Sequence, residues 1–115
     1  MPALPDQWPS GEVKGLVARG GYVVDISWKD KVITHLKVLS RLGGNCRLRI
    51  NTDMKADTTG LSVAKGENPN PFYEVPEVKS PLISPLAKLN PAGVKASTDY
   101  DLKTEAGKAY IFKLN

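Results

Sequence analysis

The chain has one cysteine and one histidine in 115 residues, and those two scarcities remove whole classes of chemistry. With Cys46 alone there is no internal disulfide, and cysteine usage points to no redox compartment. With His35 alone, and no second imidazole or thiol at ligand spacing, neither a metal centre nor a bound cofactor is expected. Cys46 lacks a histidine to activate it, so it reads as a small buried hydrophobe, not a nucleophile. No apolar run approaches the ~20 residues of a membrane span, so no membrane partner is expected. The net charge of +4 is spread over interleaved Lys, Arg, Asp and Glu, without a block of one sign, and such mild basicity argues for solubility, not nucleic-acid binding. Met1 is followed at once by Pro2, with no basic start or apolar stretch, so no signal peptide is expected in this chain. No window of helical length keeps a 3.6-residue period free of Gly and Pro.

What is present is period two. Tyr22, Val24, Ile26 and Trp28 are large and apolar at alternate positions, with Asp25 and Ser27 between them, the pattern of a half-buried strand. After Lys29-Asp30-Lys31, residues 32–40 place Val32, Leu36 and Val38 on one face and His35 and Lys37 on the other. A break at Leu42-Gly43-Gly44-Asn45 leads to Cys46, Leu48 and Ile50 alternating with Arg47 and Arg49. These three segments predict a three-stranded antiparallel meander. Near the C-terminus, Thr98 to Leu102, a turn at Thr104-Glu105-Ala106-Gly107, and Tyr110, Phe112 and Leu114 in phase predict a second hairpin.

Two stretches do not fit regular elements. Residues 1–20 carry Leu4, Trp8, Val13, Leu16 and Val17 among prolines and glycines, an irregular leader too apolar for a frayed terminus. Residues 68–91 hold six prolines, at 69, 71, 76, 81, 85 and 91. Proline cannot serve a central ladder, so this stretch should run extended as a strap. Phe72, Tyr73, Val75, Val78, Leu82, Ile83 and Leu86 make it too apolar for a disordered linker, and it should lie against a sheet with edge-strand pieces. The expectation is all-β: one domain over residues 1–115, a small antiparallel β-sandwich of meander and hairpin joined by the Pro-rich strap.

A search for catalytic groups returns little. Gly15-Leu-Val-Ala-Arg-Gly20-Gly21 has phosphate-loop glycines without the Lys-Ser/Thr, and it precedes a strand. Asp25, Asp30, Asp53, Asp57, Asp99, Asp101 and Glu105 fall in turns or on outer faces, and no pair suits glycosidic cleavage. Lys37, Arg41, Arg47 and Arg49 cluster across the second and third strands as a basic surface, either solvated or a docking face. Trp8, Phe72 and Tyr73 lie outside strand phases, where aromatic rings could stack on sugars.

The run from Ala3-Leu4-Pro5-Asp6-Gln7-Trp8-Pro9-Ser10-Gly11 through Gly15-Leu16, Ala18-Arg19-Gly20-Gly21-Tyr22 and Asp25-Ile26-Ser27-Trp28-Lys29-Asp30 resembles the start of the C-terminal β-domain of glycoside hydrolase family 95. The resemblance extends through Gly43-Gly44-Asn45-Cys46-Arg47-Leu48-Arg49 and Thr104-Glu105-Ala106-Gly107-Lys108-Ala109-Tyr110. It implies a parent α-L-fucosidase-like enzyme, periplasmic or secreted, whose helical (α/α)6 barrel carries the catalytic residues. None of those residues has a counterpart here, so this chain alone is expected to be non-catalytic. Leu4, Trp8, Pro9, Leu16, Arg19, Arg47 and Arg49 become candidates for the interface with that barrel. A fucosylated glycan is the alternative partner, bound by an autonomous carbohydrate-binding module. Two positions depart from the family's pattern: Val17 stands where arginine is frequent, and Lys31 where a glycine ordinarily supplies positive φ.

Overall fold

The computed structural model describes residues 5–50, 60–93 and 96–113. Leu4, Asp53, Asp57 and Leu114 lie outside the described residues. Seven strands run in chain order: β1 (Gly11–Ala18), β2 (Tyr22–Lys29), β3 (Val32–Ser40), β4 (Gly44–Ile50), β5 (Leu61–Val63), β6 (Thr98–Thr104) and β7 (Ala109–Lys113). The described residues contain no helix. The strands form two antiparallel sheets, one ordered β1-β2-β3-β7 and the other β4-β6-β5. This is the all-β sandwich expected from the alternating pattern.

The core lies between the sheets. Tyr22, Ile26, Ile33, Leu36, Val38 and Phe112 come from the larger sheet and Cys46, Ile50, Tyr100 and Leu102 from the smaller. Val24, Trp28, Leu48 and Tyr110 pack against this cluster from partly buried positions. The alternation read from β2, β4 and β7 therefore places the correct residues inward.

Several local expectations change. A three-stranded N-terminal meander exists, but it is β1-β2-β3, so residues 11–18 of the anticipated irregular leader form a strand. The third expected member, β4, crosses to the other sheet and pairs with β6. The C-terminal pair is likewise split, β6 staying with β4 and β7 pairing with β3. Strand periodicity specifies a face, not a partner, and short Gly loops serve sheet crossings as readily as hairpins.

Phase also shifts within β3. Ser27 opposes His35 while Trp28 opposes Ile33, so β3 contributes one extra residue there. This bulge reverses the inward phase below it: Ile33 is buried and Val32 is exposed, the opposite of the uninterrupted alternation. A second irregularity lies in β1 between Val13 and Leu16, where Gly15 takes φ +74 and donates its N–H to Asp25 Oδ1 at 2.8 Å. The glycines that mimic a phosphate loop thus serve this bulge and the β1–β2 turn, where Gly20 and Gly21 also have positive φ.

The Pro-rich segment contains no strand, and from Pro71 to Gly93 every side chain is exposed. It does not lie along a sheet as anticipated. Its root is fixed, however, and that root positions the candidate site.

Candidate docking surfaces and the inter-sheet cleft

The two chain crossings between sheets, 41–43 and 105–108, stack at one end of the sandwich. Gly107 N donates to Ser40 O at 2.8 Å, and Ser40 N donates to Lys108 O at 2.9 Å. Hydroxyls there would be stranded in the core without mutual partners. Ser40 Oγ lies 3.0 Å from Thr104 Oγ1 and accepts from Gly43 N at 3.0 Å. Thr104 Oγ1 donates to Gly44 O at 2.6 Å. Tyr22 OH is 3.3 Å from Gly44 O, and burial pushes that phenol's pKa up.

Asn70 closes the network from the Pro-rich side. Its Nδ2 donates to Tyr22 OH at 3.0 Å and Asn45 O at 2.9 Å. Its Oδ1 accepts from Phe72 N at 2.9 Å, and its own carbonyl accepts from Tyr73 N at 3.1 Å. The side chain is 4% exposed. A Cβ on Gly44 would sit 2.9 Å from Asn70 Nδ2, so glycine there leaves the space this amide fills. No pattern of alternation marks Asn70; the signal available was two asparagines set among prolines, as Asn68-Pro69-Asn70-Pro71.

Arg47 and Arg49 do not form a free basic face. They stand opposite Asp101 and Asp99 on β6, and each makes a bidentate pair: Arg47 through Nε at 2.8 Å and Nη2 at 3.1 Å, Arg49 through Nε at 2.8 Å and Nη2 at 3.0 Å. Arg47 also donates Nη1 to Gly66 O at 2.6 Å, tying down the segment that returns from β5 toward Asn70. Asn45 Nδ2 bridges Asp101 Oδ1 and Asn68 Oδ1, both at 3.0 Å. The guanidinium of Arg47 holds the Asp101 carboxyl below the usual carboxylate range, and Arg49 does the same for Asp99. Lys37 belongs to the other sheet, so the anticipated four-residue cluster does not exist.

The remaining candidates are dispersed. Trp8 and Pro9 dock by their backbone on the β2–β3 hairpin: Trp28 Nε1 donates to Trp8 O at 2.9 Å, and Lys31 N donates to Pro9 O at 2.8 Å. The Trp8 side chain nevertheless remains 60% exposed. Asp30 and Lys31 both take positive φ, +51 and +66, as a two-residue type I′ connection requires. Leu16 opposes the inward Val24 yet is 43% exposed on the edge strand. Arg19, at the opposite end of β1 from Trp8, donates Nη1 to Glu74 O at 2.9 Å.

Between the two sheet edges, β1 and β4, opens a cleft of about 100 Å³ lined by Ala18, Arg19, Val24, Cys46, Asn68 and Tyr73, among others. Burial pushes the Cys46 thiol up to about 11, so it is an inert wall of that cleft. No group of three or more His, Cys, Asp or Glu able to hold a metal occurs among the described residues.

Residues 1–79 match the family described as glycoside hydrolase family 95, C-terminal domain. The chain belongs to that family. No curated protein matches the chain. A family 95 C-terminal domain is an accessory part of a glycoside hydrolase, and the dispersed, mutually satisfied polar groups of this one suit such a place. The matched span ends within the Pro-rich segment, whereas β6 and β7, which complete both sheets, follow it.

Proposed function

We propose that this domain is a non-catalytic structural element of an α-L-fucosidase-like enzyme, packing against the parent's (α/α)6 catalytic domain in the periplasm or outside the cell. The observation that carries the reading is the family match over residues 1–79. It is supported by what the polar residues do: Arg47, Arg49, Asp99 and Asp101 are engaged with one another, and the described residues that line the inter-sheet cleft include none of the paired carboxylates that glycoside hydrolysis needs. The purified chain is expected to release no fucose from aryl fucosides or fucosylated oligosaccharides; turnover above background ends the proposal.

A second reading, glycan binding by the domain itself, is favoured by one observation: Tyr73 lines the inter-sheet cleft beside Arg19 and Asn68. A sugar ring could stack there while its hydroxyls meet the polar groups. Calorimetric titration with fucosylated glycans separates the two readings, heat of binding favouring the second and silence the first.

A further inference from the structure

The connection after Asn70 is far longer than the gap it closes. Asn70 is pinned to Asn45 near the start of β4, and Thr98 pairs with Ile50 at that strand's end, a separation along β4 of about 17 Å. Residues 71–97 amount to about 27 residues, enough for roughly 80 Å of extended chain. Its described residues hold no strand or helix, and a connection this long without either in a compact domain is uncommon and characteristically functional. Its composition is not that of a solvated linker. Val75, Val78, Leu82, Ile83, Leu86 and Leu89 all project into solvent, Leu82 at 103% and Leu86 at 91% exposure.

Charge and stiffness are equally specific. Glu74, Glu77, Lys79 and Lys88 balance to zero across 71–93, so nothing repels a neutral or weakly charged partner. Five prolines in that span fix φ, which lowers the conformational entropy lost when the segment settles on a surface. Both ends are held, at Asn70 and at β6, so the segment projects as an arm.

We propose that residues 71–93 form a clasp that seats this domain on the catalytic domain of its own parent enzyme. The inference rests on the accessory-domain reading above and deepens it: the partner surface is the apolar arm, not the ion-paired face of Arg47 and Arg49. The occupant is the catalytic domain because the family places this unit C-terminal in a glycoside hydrolase, and the family match runs through Lys79, into the arm.

Hydrogen–deuterium exchange on the 115-residue chain and on the intact parent enzyme tests the clasp. Arm amides between Glu74 and Leu89 are expected to exchange at near-unprotected rates in the chain alone and at least roughly ten-fold more slowly in the parent. Leu82→Glu with Leu86→Glu is expected to restore fast exchange in the parent while leaving the melting temperature of the chain alone unchanged. If another face of the domain gains protection and the arm does not, the clasp is overturned and the accessory-domain reading stands. If no face gains protection, both fall. A concentration-dependent dimer of the isolated chain, abolished by the double substitution, would assign the arm to a second copy and also overturn the clasp.

Discussion

Asn70 shows how much a single buried amide can hold. Three groups from three parts of the chain meet it, Tyr22 OH, Asn45 O and Phe72 N, and its removal takes a buried donor away from both the phenol and the carbonyl. Asn70→Ala is therefore expected to cost about 2–3 kcal/mol and to loosen the arm's root, read as a lower urea midpoint together with faster proteolysis after residue 70. Asn70→Asp should do no better at neutral pH, since it removes the donor and sets a carboxylate against Asn45 O; wild-type stability in either variant contradicts the plug. Lys31 is the opposite case, a residue working against its conformation. At φ +66 an L side chain is strained by roughly 1 kcal/mol, and its ion pair with Asp6, 3.5 Å long between exposed groups, returns little. Lys31→Gly should stabilise by about 0.5–1 kcal/mol, raising the midpoint in chemical denaturation. The departure at Lys31 was legible through the family resemblance, which ordinarily places a glycine with positive φ there. Asn70 was not, because a buried polar plug has no periodic signature.

At the level of strands, the Arg–Asp ladder across β4 and β6 makes stability depend on acid. The carboxyls of Asp99 and Asp101 titrate below their unfolded value of about 3.9, so the unfolded chain takes up protons first as the pH falls. The stabilisation is fully present above that unfolded value and is lost as pH drops through the lower folded values. Melting temperatures between neutrality and strong acid should fall more steeply for the wild type than for Asp101→Asn; parallel curves would refute the assignment. The two rungs should also differ. Arg47 and Asp101 are about one-fifth exposed and Arg47 holds the returning segment as well, whereas the Arg49 side chain is 65% exposed. Arg47→Gln should lower the melting temperature clearly and Arg49→Gln hardly at all. The sequence showed that Arg47 and Arg49 share an outer face, since alternation dictates it. It could not show Asp99 and Asp101 opposite them, because a partner some fifty residues away follows from which sheet a strand joins. The same limit explains why β4 and β7 were expected in the wrong neighbourhoods while their inward residues were correctly chosen, and why the β3 bulge, which exchanges Val32 for Ile33, left no trace in a pattern of consecutive apolar residues.

For the whole molecule, the question is which parts of the chain the fold requires. The family match ends at residue 79, but β7 covers one edge of β3 and β6 joins β4 to β5, bringing Tyr100, Leu102 and Phe112 to the core. A chain ending at residue 79 loses all three and leaves two strands without ladder partners, so it is expected to give no cooperative melt. The arm is the opposite kind of segment. Its prolines made its extended course readable, but its exposure was not, because apolar content alone does not tell a strap on this domain from an arm meant for another. Replacing residues 75–92 with six Gly/Ser residues leaves a connection of about 15 residues, still ample for a gap of about 17 Å. The shorter loop changes closure entropy by only about 0.5 kcal/mol, in the stabilising direction. The shortened chain should therefore melt cooperatively within a few degrees of the wild type, because the arm contributes no buried side chain to the core. If it unfolds instead, the arm belongs to this domain's own stability, and its exposed apolar residues would need a role inside the fold that Asn70 and β6 do not already supply.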